Sequence, residues 1–228
     1  MKDKSSVFVI IPCYNESAVI RKTVASVSEK GYTVVVVDDC SKDNSKKELK
    51  GLPVFYLRHR VNMGQGAALQ TGICFSFKMN AEYFVTFDAD GQHEVNDIEG
   101  MMEEMSKENS DIVFGSRFLP GSKTNVPVSR SFVLNAARFV NYLVSGILLS
   151  DAYNGLRILN RKAAAVLKLT ENKMAHATQI QMLVSKNKLA YAEFPNSIHY
   201  NEYTMGKGLK NRDGLKILFE IILHKIFR

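Results

Sequence analysis

The sequence predicts an α/β sandwich, a mostly parallel central sheet with helices on both faces. Three observations predict it. Short β-prone, largely apolar runs recur at Val7–Ile11, Thr33–Val37, Val54–Leu57, Glu82–Phe87 and Asp111–Phe114. Such runs suit strands buried on both faces, as in a parallel sheet. Helix-like segments separate them, as crossovers between parallel strands require. Each run also gives way to polar, ionisable or glycine-rich residues, which would gather at one rim of the sheet, where open α/β sheets bind ligands.

Taken in order, Val7–Ile11 leads into Pro12, and a helical pattern follows over Ser17–Lys30. Thr33–Val37 (TVVVV) is wholly β-branched, the composition that packs best in a pleated sheet. Ser41, with Asp43 or Asn44, offers N-cap oxygens to a short helix ending near Lys50. Val54–Leu57 is a third strand. The helix over Gln65–Lys78 is preceded by Gly64 and carries Ala68 and Gly72 on the same face, which permits close backbone approach. A further helix covers Val95–Lys107. The second half is less regular. Leu119–Ser131 is a loop rich in Pro, Gly and Ser, and Phe132–Leu149 is apolar but interrupted by Asn135, Arg138, Asn141 and Ser145. Gly155–Leu159 reads as a strand, Arg161–Leu167 and Ala175–Lys186 as helices, and Ala190–Phe194 as a strand. The closing segment Gly214–Arg228 is an amphipathic helix, with Leu215, Leu218, Phe219, Ile222 and Ile226 on one face. It packs on the core or lies on a membrane surface.

The 228 residues suffice for one large domain with a sizeable core. The net charge of +7 favours an anionic partner: nucleic acid, anionic lipid or a phosphorylated small molecule. Three cysteines without a CxxC pair argue against a disulfide framework or zinc site and fit a reducing cytoplasm. The N-terminus lacks a signal-peptide layout, and no apolar run is long enough to span a bilayer. No composition signal fixes an oligomeric state.

The chemistry is expected at the strand ends. These are Pro12-Cys13-Tyr14-Asn15-Glu16, then Asp38-Asp39-Cys40-Ser41, Arg58-His59-Arg60 with Asn62–Gly66, the segment Asp88–His93, and Gly115-Ser116-Arg117. Asp88 and Asp90, two residues apart on an extended segment, would point the same way and repel. A hard divalent cation, Mg2+ or Mn2+, would relieve that repulsion and keep positions for phosphate oxygens. Gln92 would add a neutral oxygen, and His93 is either a ligand or a loop residue. Asp38 and Asp39 are suited to a base N–H or a ribose hydroxyl, or to capping a helix. Asn62–Gly72 is neither a dinucleotide fingerprint nor a P-loop.

IPCYNE at 11–16, VDDCSKD at 37–43, NMGQGAALQTG at 62–72, DADGQH at 88–93, GSR at 115–117 and NGLRILNRKA at 154–163 stand in the order found in family 2 glycosyltransferases. The chain resembles that family over nearly its whole length, most of all its dolichol-phosphate mannose synthase-like branch and small bacterial polysaccharide-pathway enzymes. The resemblance implies a GT-A fold in one domain, with residues 1–117 as the nucleotide-binding half and 118–228 as the acceptor-binding half. It implies a nucleotide-sugar donor, a divalent metal, inversion at the anomeric carbon, and no nucleic-acid partner. Position by position, it implies that Pro12, Tyr14 and Glu16 line the nucleotide pocket, and that Val37 and Asp39 contact base and ribose. Asp88 and Asp90, with Ala89 between them and Gln92 beyond, would hold the metal on the diphosphate. Arg117 and Arg157 would serve the donor phosphates or the acceptor. Lys207, between Gly206 and Gly208, would close over the diphosphate.

Two departures bear on the acceptor. Many relatives carry an acid in the helix over 175–186, where this chain has Gln179 and Gln181, which cannot act as bases. Relatives also often carry Arg near Ser197–Tyr200, where His199 stands here. A base elsewhere, such as Asp151 or His176, or an acceptor already ionised, such as a polyprenyl phosphate or other lipid-linked acceptor, would answer the first. Peripheral contact with the inner face of the cell membrane follows from the same reading. A non-catalytic nucleotide-sugar or membrane binder of the same fold is the alternative. A nucleotidyltransferase is disfavoured, because PCYNE is not a glycine-rich basic loop.

Overall fold

The computed structural model describes residues 3–122, 138–139, 141–172 and 175–198. A short 3-10 turn, Lys4–Ser6, leads into β1 (Val7–Cys13), α1 (Ile20–Glu29), β2 (Thr33–Asp38), α2 (Ser45–Glu48), β3 (Val54–Arg58), α3 (Gln65–Lys78), β4 (Tyr83–Thr86), α4 (Asp97–Lys107) and β5 (Ile112–Ser116). Residues 138–139 and 141–145 are helical. They precede β6 (Arg157–Asn160), α5 (Arg161–Val166), α6 (His176–Lys186) and β7 (Tyr191–Pro195).

The strands form one seven-stranded sheet in the order β3-β2-β1-β4-β6-β5-β7. β6 pairs antiparallel with both β4 and β5, and every other pair is parallel. The sheet is therefore mostly parallel, as the apolar runs imply. Alternation along β1 assigns its two faces. Val7, Val9 and Ile11 join Ile20, Val24 and Val27 of α1 and Ile98 and Met101 of α4 in one core layer. Phe8 and Ile10 join Ala68, Leu69 and Ile73 of α3, Ala163 of α5, and Ile180 and Val184 of α6 in the other. Each of the larger side chains stabilises by roughly 1.5–3 kcal/mol when fully buried. Close packing of α3 depends on Gly72, where an added Cβ would lie 2.3 Å from Ile10 Cγ2.

The antiparallel insertion places the first residue of β6, Arg157, opposite Thr86 of β4 and Phe114 of β5. It thus stands at the rim where the parallel strands end. The β1–β4 ladder stops at Ile10–Thr86, short of Pro12 near the end of β1.

Several boundaries differ from the sequence reading for local reasons. The first helix starts at Ile20 rather than Ser17. The amides of Asn15, Glu16 and Ser17 donate instead to Ser41 Oγ, Ser45 Oγ and Asp43 Oδ2, each at 2.9 Å, and Asn15 adopts φ 57°. The α2 helix is only four residues long, with Asn44 at its N-cap making no side-chain cap bond. Asp43 takes that role from outside, accepting from Ser45 N at 3.0 Å. Gly155 lies before β6 rather than in it, and Asp88–Asp90 sits in the turn after β4 rather than on an extended segment. Most of the Leu119–Ser131 loop, part of Phe132–Leu149, His199, Lys207 and the Gly214–Arg228 segment lie outside the described residues.

Candidate active site

The rim is assembled by hydrogen bonds between loops. The post-β1 loop carries Tyr14 and Glu16 and is zipped to the post-β2 loop by the three amide bonds above and by Lys42 N donating to Asn15 Oδ1 at 2.8 Å. Tyr14 is 42% exposed, so its ring is open to a ligand, and Pro12 and Glu16 are half-buried beside it. Val37 is fully buried at the end of β2. Cys13 is a buried thiol, and burial raises its pKa to about 11, which keeps it inert.

The two adjacent acids at the end of β2 turn inward. Asp38 accepts from Ser41 N at 2.7 Å and from the Tyr56 hydroxyl, and pairs with Arg58 at 3.2 Å. Asp39, 3% exposed, accepts from Met63 N at 2.8 Å and Gly64 N at 2.6 Å, and its Oδ1 lies 2.7 Å from His59 Nδ1. Both carboxylates are satisfied within the protein, and Asp39 ties the β2 end to the loop that starts α3.

Asp88 and Asp90 lie in the middle of the rim, flanking the buried Ala89. Asp88 keeps 31% side-chain exposure. Gln65 Nε2 donates to its Oδ1 at 3.0 Å, and His93 Nε2 lies 3.1 Å from its Oδ2. Burial alone would raise the Asp88 pKa. The hydrogen bond and charge of His93, with Arg157 and His176 farther off, outweigh burial and hold it below the ordinary value. Asp90 is pushed up to about 6, first by burial and then by the charge of Asp88, with Glu16 adding to the push. The amide of Gln92 donates to Asp90 Oδ1 at 3.0 Å and closes the turn with Gly91 at φ 72°.

Arg157 is 2% exposed, and its buried Nε has no hydrogen-bond partner. Burial pulls its pKa down to about 10, against the attraction of Asp88 and Asp151. Arg117 forms a fork with Asp151, Nε to Oδ2 at 2.5 Å and NH2 to Oδ1 at 2.8 Å. Burial opposes ionisation of Asp151, and Arg117 more than offsets it, so Asp151 is a committed carboxylate rather than a base.

The glutamines of α6 are structural. Gln179 Oε1 accepts from Thr170 N and Glu171 N, both at 3.0 Å. Gln181 is fully buried, donates to Ala152 O at 2.8 Å and accepts from Asn141 Nδ2. His176 is buried at the start of the same helix.

Asp88 thus lies within electrostatic reach of His93, Arg157 and His176, and Asp90 of Asp88, His93 and Glu16. Arg117 is spatially tied to them through Asp151. Among the described residues no group of three or more His, Cys, Asp or Glu forms a metal cage. Asp88 and Asp90 are the pair available to a cation that draws its remaining ligands from water or a substrate. Sequence reasoning missed three features that shape Asp88: the Gln65 bond, the His93 contact and the close approach of Gly155. The only sequence signal for Gln65 and Gly155 was glycine beside polar residues at the rim.

The mostly parallel seven-stranded sheet, with helices on both faces and a polar rim, has the architecture of the GT-A fold. The chain belongs to glycosyl transferase family 2, whose family model matches residues 8–167. It is 33% identical to an uncharacterized protein of Methanocaldococcus jannaschii, over 99% of this chain and 94% of that one. It is 30% identical to a UDP-N-acetylglucosamine–dolichyl-phosphate N-acetylglucosaminyltransferase of Methanococcus voltae, over 99% and 98%. The fold is shared with glucosyl-3-phosphoglycerate synthase of Mycobacterium tuberculosis, solved with Mn2+, UDP and glucosyl-3-phosphoglycerate. That match has a TM-score of 0.69 at 16% identity and covers 95% of this chain and 77% of that one. No helix of the described residues is long and apolar enough to cross a membrane.

Proposed function

We propose that the protein transfers a sugar, with inversion, from a nucleotide-diphospho-sugar to a polyprenyl-phosphate acceptor at a membrane surface. The observation that carries this reading is the Asp88–Asp90 pair, two carboxylates two residues apart at the rim, where burial first and the charge of Asp88 second push Asp90 up to about 6. That arrangement is unfavourable alone and fits a divalent cation, Mg2+ or Mn2+, which would supply Lewis-acid stabilisation of the leaving diphosphate. Asp88 and Asp90, with Gln92, would hold it. Pro12, Tyr14 and Glu16 line the nucleotide end, with Val37 contributing only backbone and Asp39 acting through the loop its carboxylate holds. Arg157 offers an unpartnered buried donor to a phosphate oxygen, a strong charge-assisted bond. Lys207 is assigned to the same phosphates from the C-terminal segment, and Arg117 supports the site through Asp151.

A phosphate acceptor suits the lack of an Asp or Glu on α6. A hydroxyl acceptor needs a group to take its proton, whereas a phosphate monoester with a second pKa near 6 is already a nucleophile at neutral pH. The dolichyl-phosphate specificity in the Methanococcus voltae relative's name supports this choice. The test is to incubate the protein with labelled UDP-, GDP-, CDP- or dTDP-sugars, dolichyl phosphate and Mn2+, then extract with organic solvent. One donor is expected to label the lipid phase, with the signal lost in chelator. No labelled lipid from any donor would refute the proposal.

A further inference from the structure

The strongest feature beyond this reading is the way Asp88 is aimed. Its Oδ1 accepts from Gln65 Nε2 at 3.0 Å, and its Oδ2 lies 3.1 Å from His93 Nε2. A carboxylate has about four lone-pair sites, so each oxygen keeps capacity for a further partner. Gln65 is the first residue of α3, and its backbone is fixed on both sides. On one side, Met63 N and Gly64 N donate to Asp39 Oδ1 and Oδ2 at 2.8 and 2.6 Å. Asp39 is gripped in turn by His59, whose Nε2 lies 2.9 Å from Thr71 Oγ1 on α3. On the other side, Gly66 N donates to Asn172 O at 2.9 Å. An added Cβ at Gly66 would lie 2.0 Å from Glu171 O, so the backbone there is packed against the neighbouring loop.

We infer that Gln65 is the positioning residue for Asp88, and that Asp39, His59 and Thr71 form the anchor that sets it. The inference rests on the reading that Asp88 faces a cation and diphosphate. The amide has the right chemistry for the task. It donates a hydrogen bond that orients the ionised carboxylate yet adds no charge to compete with a metal. A lysine would donate and also repel the cation, and a leucine would fill the space but leave Oδ1 unoriented. Groups that orient metal-binding carboxylates typically change metal affinity by about 10–100-fold when removed.

The experiment measures Mn2+ binding by loss of the free-ion electron paramagnetic resonance signal, in the presence of UDP, with melting temperature recorded alongside. Full-length wild type, Gln65→Leu, Gln65→Lys and Thr71→Val are compared. Wild type is expected to bind Mn2+, and Gln65→Leu to bind it about 10-fold or more weakly. Gln65→Lys is expected to bind it more weakly still, with kcat falling more than KM changes in both. Thr71→Val, remote from the carboxylates, is expected to shift affinity in the same direction by a smaller factor. Unchanged Mn2+ affinity in Gln65→Leu, or wild-type affinity in Gln65→Lys, would overturn the inference. If Gln65→Leu does not fold, wild-type Mn2+ affinity in Thr71→Val overturns it. A wild type that binds no Mn2+ with UDP, nor with GDP, CDP or dTDP in its place, would refute the functional reading and the inference with it.

Discussion

Replacing Gly155 with alanine tests the placement of Asp88 with a single methyl group. The added Cβ would lie 2.0 Å from Asp88 Oδ2 and 2.6 Å from its Cγ. Against an ordinary contact of about 3.4 Å, the shortfall is about 1.4 Å. The Gly155 backbone is poorly placed to retreat, because its carbonyl accepts from Thr86 Oγ1 at 2.6 Å and the next amide, Leu156 N, donates to Asn154 Oδ1 at 3.0 Å. The carboxylate must therefore swing away, breaking its bond to Gln65. Misplacement of a reacting group by about 1 Å costs on the order of 100-fold in rate. That corresponds to about 2.7 kcal/mol of barrier. Asp88 is partly exposed and has room to turn outward, so stability should change by no more than about 1 kcal/mol. The assay is kcat/KM for sugar transfer, with thermal melting as the control for folding. A Gly155→Ala enzyme within about threefold of wild type would show that the position of Asp88 does not matter, and would refute the reasoning.

Three further outcomes are expected. Asp90 has a folded pKa of about 6, above its ordinary 3.8, so the cation-free protein loses stability as pH rises between those values and the loss persists above them. Asp90→Asn should therefore raise stability at pH 8 by up to about 3 kcal/mol and change little at pH 3.5, as read by urea unfolding without metal. Arg117→Ala leaves Asp151 buried and unpaired and should cost about 3–5 kcal/mol in the same unfolding assay, with Arg117→Lys intermediate because it keeps the charge but not the fork. Gln181→Glu places an acid at one of the two α6 positions, with Gln179, where the family resemblance would look for one, but it replaces the amide that donates to Ala152 O in a fully buried site. It should lower stability by about 2–4 kcal/mol and leave kcat no higher; a rise in kcat would show that a missing base limits the reaction.

Much of this was legible in the residues because the relevant physics is local. TVVVV has no polar face, so it must be a strand covered on both sides, and it is β2. The helix over about Gln65–Lys78 was readable, since a glycine precedes it and small residues line the side that meets Ile10. Asp88 and Asp90 stood out as like charges at the end of an apolar strand. What stayed hidden depends on contacts between distant segments. RILN is too short to reveal that it enters the sheet antiparallel between β4 and β5, yet that insertion carries Arg157 to the rim. Asp38 and Asp39 look equally suited to a ligand in the sequence, and only the Tyr56, Met63 and Gly64 contacts show that their carboxylates are turned inward. Gln181 reads as a lost base until its burial against Asn141 and Ala152 reveals a structural role.

The central claim is that Asp88 and Asp90 share a divalent cation with a nucleoside diphosphate. Calorimetric titration of UDP, GDP, CDP and dTDP into the protein, with Mn2+ or with EDTA, tests it most directly in wild type and Asp90→Asn. Wild type is expected to bind one of them at least about tenfold more tightly with Mn2+, and Asp90→Asn to lose this difference. Equal wild-type affinity in Mn2+ and in EDTA for all four would contradict it.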